Sequence, residues 1–188
     1  MSNQSSPTYR WYVVGILTLS YLVSFLDRQI LALMVGPIKA DLQLSDTEIS
    51  LIMGVAFSLF YAFMGIPLGW LADRTNRRNI IIVGIIFWSL MTAACGLASK
   101  FIHLFLARIG VGAGEASLTP SAISIISDYF SRQDRGRAIA TYNMGVSLGT
   151  GIAMVLGGVV ISFVVDSPYV ELPIIGTLST WQDIFFVV

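Results

Sequence analysis

Five apolar runs, each at or near the length needed to cross a bilayer, constrain this chain more than any other feature. They cover Trp11–Val35, Ile49–Leu71, Ile80–Ala98, Leu104–Ser127 and Ala138–Val165, and a sixth opens at Trp181. A helix needs about 20 apolar residues to span the hydrocarbon core, and only a backbone that satisfies its own hydrogen bonds is stable there. The expected fold is all-α and integral to the membrane. A cytoplasmic tail occupies 1–10, and a transmembrane bundle occupies 11–188, with helices one to five on the five runs and a partial helix six at 181–188. A completed sixth span would make a six-helix bundle, so the 188 residues read as a fragment of a longer protein.

Composition agrees. Charged residues make up 12% of the chain, about half the share a soluble domain carries. Acidic and basic residues balance at 11 each, which gives no basic footprint for nucleic acid. The single cysteine, Cys95, lies in an apolar run and reads as a packing residue. The sequence has no phosphate-binding Gly-x-x-x-x-Gly-Lys-Ser/Thr loop, so an ATP-driven pump is disfavoured. No metal-ligand cluster and no nucleophile–base set is visible, so neither cofactor nor metal is expected, and the chain does not read as an enzyme. The first run lacks a small-residue cleavage site and is longer than the apolar core of a signal peptide. Asn3-Gln4-Ser5 matches a glycosylation sequon, on the side assigned below to the cytoplasm, where it would stay unused.

Basic residues set the orientation. Arg10, Arg74, Arg77, Arg78, Arg132, Arg135 and Arg137 fall on one side of the membrane, and only Lys39 and Lys100 on the other. Positive-inside asymmetry places the N-terminus in the cytoplasm of an inner (plasma) membrane protein. Ser45-Asp46-Thr47-Glu48 reads as a capping box at the start of helix two. The connection from about Asp166 to Thr180, with Pro168 and Pro173, is expected to be an outer loop, and His103 an interfacial residue.

Four charges remain inside the spans: Asp27 and Arg28 in helix one, Arg108 and Glu115 in helix four. A buried ionisable group costs a few kcal/mol or more and normally faces a partner or a wet cavity. Counted from the outer helix ends, Asp27 lies ~12 Å deep, Arg28 ~10 Å, Arg108 ~6 Å and Glu115 ~16 Å. Asp27–Arg108 and Arg28–Glu115 are the expected pairs if the two helices adjoin. Snorkelling is the alternative for Arg108, and a purely structural pair the alternative for Glu115. Tyr21, Tyr61 and Tyr142 could line a cavity, though packing is the simpler reading. In helix five, Gly145, Gly149, Ala153 and Gly157 repeat at four-residue spacing, a pattern for tight helix packing.

The most specific local order is Gly69-Trp70-Leu71-Ala72-Asp73-Arg74-Thr75-Asn76-Arg77-Arg78, between helices two and three. Gly69 permits close helix approach, and Asp73 is an acid beside a basic cluster, able to pair with arginine or dock on a helix N-terminus. This segment resembles the loop Gly-x-Leu-Ala-Asp-Arg-x-Gly-Arg-Arg of the major facilitator superfamily, with Asn76 where glycine is usual; asparagine also accepts left-handed turns. The resemblance implies the N-terminal six-helix bundle of that fold, truncated at the start of helix six. It also implies a cytoplasmic gate made of Gly69, Asp73, Arg74, Arg77 and Arg78. Arg108 followed by Gly110, Gly112 and Gly114 resembles the family's second motif, whose arginine is often tied to proton coupling. Gly157-Gly158 resembles the antiporter motif only weakly, because its proline is absent. Asp27-Arg28, Arg108 with Glu115, and Asp128-Tyr129-Phe130 are similar to the Spinster group, whose eukaryotic members carry sphingolipid or lysolipid.

Each half of this transporter fold is built from inverted three-helix repeats, so helices one and four correspond, and their charges fit a site at the repeat interface. The implied function is secondary active transport, proton-coupled through Asp27, Arg28, Arg108 and Glu115, of a small organic or lipid-like amphiphilic solute. The implied partners are membrane lipid, that solute, protons and a C-terminal half. An uncoupled facilitator and a non-transporting fragment are the competing readings.

Overall fold

The computed structural model describes residues 6–166, 169–172 and 176–187; the Asn3-Gln4-Ser5 sequon, Pro168 and Pro173 lie outside them. Helix one runs over Pro7–Leu33, opened by the Ser6 hydroxyl, which accepts from the Tyr9 amide at 3.3 Å. It thus begins before Trp11 and takes Arg10 into the helix. It breaks at Met34 and resumes as a short helix, Val35–Asp41. Pro37 explains the break, since its ring excludes the carbonyl four residues back, that of Leu33, and it has no N–H to give.

Helix two starts at the expected capping box, Ser45 with Glu48. It spans Asp46–Ala72 with one π-turn over Leu51–Val55, a wide turn of the kind that often marks functional sites. Helix three is Arg77–Gly96. Helix four is in two pieces, Phe101–Glu115 and Leu118–Tyr129. Pro120 breaks it by the same mechanism, against the carbonyl of Ala116. Helix five is Arg135–Asp166, and helix six opens at Thr180–Val187. The expected outer loop contains a short antiparallel hairpin, Tyr169–Leu172 with Gly176–Ser179, in which Tyr169 faces Ser179 and Leu172 faces Gly176. Tyr, Val and Thr favour extended backbone there. The bundle itself is all-α.

Five helices among the described residues are long and apolar enough to cross a membrane. Phe63, Ile66, Val83, Leu90, Met154 and Val155 are exposed on their outward faces, a surface that suits lipid rather than water. Helix five packs along helix one. A Cβ on Gly145 would stand 2.7 Å from the Thr18 carbonyl oxygen, and one on Gly149 2.6 Å from that of Leu22. Ala153 is fully buried, and Gly157 accommodates Leu33. The small-residue stripe therefore lets the two backbones touch. At the end of the bundle opposite Arg77, Asp41 Oδ2 accepts from Ser179 Oγ (2.7 Å) and Trp181 Nε1 (2.8 Å). Gln182 Nε2 donates to the Ala98 carbonyl at 3.1 Å. These bonds tie the start of helix six to helices one and three. Cys95 is a buried free thiol.

Candidate functional site in the bundle interior

Helix one presents Ser24 and Arg28 on one face, four residues apart. Helix four ends its first piece at Glu115, just before the proline-driven break. The two meet: Glu115 Oε2 accepts from Ser24 Oγ at 2.5 Å and from Arg28 Nε and Nη2 at 2.8 and 2.5 Å. Glu115 is 1% exposed, whereas the Arg28 side chain keeps 22%. All three donors converge on one oxygen, and Oε1 has no hydrogen-bond partner.

The other expected pair is not made. Asp27 Oδ2 accepts from Thr92 Oγ1 at 3.2 Å, and its Oδ1 is unpartnered. Arg108 is 3% exposed, so it does not snorkel to the surface; its guanidinium lies over the Phe57 ring at 4.9 Å and its Nε has no partner. Asp27 and Arg108 feel each other's charge without a direct ion pair. Thr92 gives the carboxylate one hydrogen bond and an aromatic face gives the cation a contact, yet each group keeps one buried atom without a partner.

Phe57 is central, and sequence reasoning missed it. Arg28 also stacks on this ring, at 4.5 Å, and stands 4.7 Å from the Phe25 ring and 5.0 Å from Tyr61. Helix two can bring Phe57 in because Gly112 of helix four has no side chain: a Cβ there would lie 2.6 Å from the Phe57 carbonyl oxygen. The available signal was the pair Phe57 and Tyr61, one helical turn apart and preceded by the π-turn. Ser24 and Thr92 carried no signal beyond being polar in apolar runs.

Three buried polar atoms thus lack partners in one neighbourhood: Asp27 Oδ1, Arg108 Nε and Glu115 Oε1. Each costs about 1–3 kcal/mol while unpaired. Among the described residues, no cluster of His, Cys, Asp and Glu is suited to a metal ion.

The helix two–three connection is built differently. Arg77 donates from Nε to the Ala72 carbonyl at 3.2 Å and pairs through Nη1 with Asp128 at the end of helix four. Arg74 stacks over Trp70 at 4.1 Å. The Asp73 carboxylate is exposed and has no hydrogen bond or ion pair among the described residues, so it neither pairs with arginine nor docks on a helix end. Asn76 has φ −73° and caps helix three, its Oδ1 accepting from the Arg78 amide at 3.0 Å. Asparagine serves there as an N-cap, not as a left-handed turn residue. A Cβ on Gly69 would meet Pro120 at an ordinary 3.7 Å, so close packing does not require glycine at that position.

Comparison with known proteins is consistent with this geometry. A model of the Major Facilitator Superfamily matches residues 17–187. A probable L-galactonate transporter of Escherichia coli (strain K12) is 35% identical over 73% of this chain and 30% of its own length. Protein spinster homolog 1 of Xenopus tropicalis is 36% identical over 82% of this chain and 30% of its own. The crystal structure of a bacterial homolog of the human lysosomal transporter Spinster, inward-facing and unoccupied, superposes with a TM-score of 0.85 at 38% identity. That match covers 97% of this chain and 40% of the homolog. The chain therefore spans less than half the length of these relatives.

Proposed function

This chain belongs to the Major Facilitator Superfamily, is Spinster-like, and contributes a multi-pass membrane bundle; from that premise we propose that the full protein is a proton-coupled secondary transporter in which Glu115 carries the proton. The observation behind this reading is the single-oxygen grip of Arg28 and Ser24 on a fully buried Glu115. Cargo or helix movement that withdraws Arg28 leaves a carboxylate without its counter-charge in low dielectric. Such a group takes up a proton, and the proton leaves when the guanidinium returns. Asp27, hydrogen-bonded by Thr92 alone, is the second carrier candidate, and Arg108 the neighbouring fixed charge.

The cargo is a small organic or lipid-like amphiphilic solute with an anionic group, because the half-exposed Arg28 is placed to exchange Glu115 for another carboxylate or phosphate. Galactonate, named for one relative, is such an anion. The gate candidates are Asp73, Arg74, Arg77 and Arg78 on the cytoplasmic side. The N-terminus lies in the cytoplasm; cysteines at Thr75 and at Ser167, the latter outside the described residues, then label from opposite sides. Labelling of both from one side overturns that orientation.

The test of coupling uses the full-length transporter in proteoliposomes under an imposed pH gradient. Glu115→Gln abolishes gradient-driven accumulation and leaves cargo exchange measurable. If Glu115→Gln accumulates cargo like the wild type, Glu115 is structural. If Asp27→Asn does so as well, the uncoupled facilitator is the correct reading.

A further inference from the structure

We infer that a cluster of hydroxyls centred on Thr119 binds the uncharged polar end of the cargo, and so selects hydroxylated anions over plain ones. This rests on the anionic-cargo reading above and adds a second anchor to it.

Thr119 follows Glu115 across the helix-four break. Its Oγ1 lies 3.4 Å from the Tyr61 hydroxyl and 3.3 Å from that of Tyr142. The Tyr21 ring stacks on Tyr142 at 4.6 Å with only 5° between the planes. Three hydroxyls, from helices two, four and five, therefore meet at Thr119.

A threonine hydroxyl donates once and accepts twice. Three hydroxyls joined by two hydrogen bonds spend two of their three O–H protons and leave one over. Tyr142 is 0% exposed, and Thr119 is its hydrogen-bond partner among the described residues, so Tyr142 must be one of the donors. The proton left over is then that of Thr119 or of Tyr61, and both residues are half-buried, as is Arg28. Plain packing would not need this arrangement, since phenylalanine and valine would fill the same space without a surplus donor.

The surplus donor is next to the charge site. The Tyr61 ring faces the Arg28 guanidinium at 5.0 Å. A cargo whose anionic group engages Arg28 can thus place a hydroxyl or carbonyl oxygen against the free hydroxyl. A site built to hydrogen-bond a substrate oxygen discriminates strongly against an analogue that lacks it.

The experiment measures equilibrium binding to the purified full-length transporter of two six-carbon monocarboxylates, gluconate with its hydroxyls and hexanoate without. Wild type is expected to prefer gluconate. Thr119→Val should lose about five- to tenfold in gluconate affinity, the effect of one or two hydrogen bonds, with hexanoate unchanged. Thr119→Ser should restore the preference. Should Thr119→Val fail to fold, Tyr61→Phe takes its place, because it removes only an oxygen. Equal weakening of both anions, no change for either, or failure of serine to rescue overturns the inference. So does equal wild-type affinity for the two, which leaves the anion site at Arg28 standing. Binding of neither anion overturns the anionic-cargo reading, and this selectivity with it.

Discussion

Arg28 in the bundle interior and Arg77 at one end of the bundle each join helix four to another helix through a carboxylate, Glu115 and Asp128, yet the two pairs sit in different solvents. The Glu115 side chain has no exposure, while that of Asp128 is 64% exposed. In water, competing hydration and salt leave such a pair a median of about 0–1 kcal/mol. In the interior, removing one partner strands a charge, at about 3–5 kcal/mol. The same chemistry is therefore a loose tie at the exposed end and, on the proposed function, a coupling element inside. The surface pair can open with little cost as helices move. The interior pair opens only if a proton or an anion replaces what is lost.

The largest break of this contrast is Arg28→Ala in the full-length protein. It leaves Glu115 buried without its counter-charge and should lower unfolding free energy by about 3–5 kcal/mol, read by thermal or denaturant unfolding. Adding Glu115→Gln to it should return most of that loss, because no charge is then stranded. A double variant as unstable as the single one would mean that packing of Arg28 on its three rings, not charge, holds the site.

Arg77→Ala with Asp128→Ala sharpens the other side. A double-mutant cycle should give about 0.2–1 kcal/mol of coupling, decreasing with added salt. A coupling as large as the interior one would erase the distinction. Smallest of all is Asp73→Asn: with no partner among the described residues, it should change stability by no more than about 0.5 kcal/mol. Its effect should appear in transport rate, with cargo affinity nearly unchanged, as expected of a group that acts only when the gate closes. An unchanged rate would remove Asp73 from the gate.

The spans, the all-α fold and the charged centre were legible in the sequence because a bilayer forbids most alternatives. An apolar run of that length favours a helix, and Arg28 and Glu115, at depths only about 6 Å apart, lay within reach of each other. Asp27 and Arg108 had the same depth offset of about 6 Å and opposite sign, but depth says nothing of azimuth, and Thr92 and Phe57 stood nearer. Helix breaks at Met34 and Ala116 were readable from Pro37 and Pro120, four residues before which a carbonyl must give way. The role of Asn76 was obscured because a family pattern suggested glycine's conformational freedom, whereas the local need was a side-chain cap. Thr119 carried no signal alone: its importance comes from Tyr61 and Tyr142 on two other helices, which only tertiary packing brings together.

The central claim is that Glu115 itself gains and loses a proton as Arg28 leaves and returns. Infrared difference spectroscopy of the full-length transporter between acidic and alkaline buffer, with and without cargo, observes that carboxyl directly. The account predicts a protonated-carboxyl band that responds to cargo, disappears in Glu115→Gln and survives in Asp27→Asn. A band that is unchanged by Glu115→Gln would contradict it.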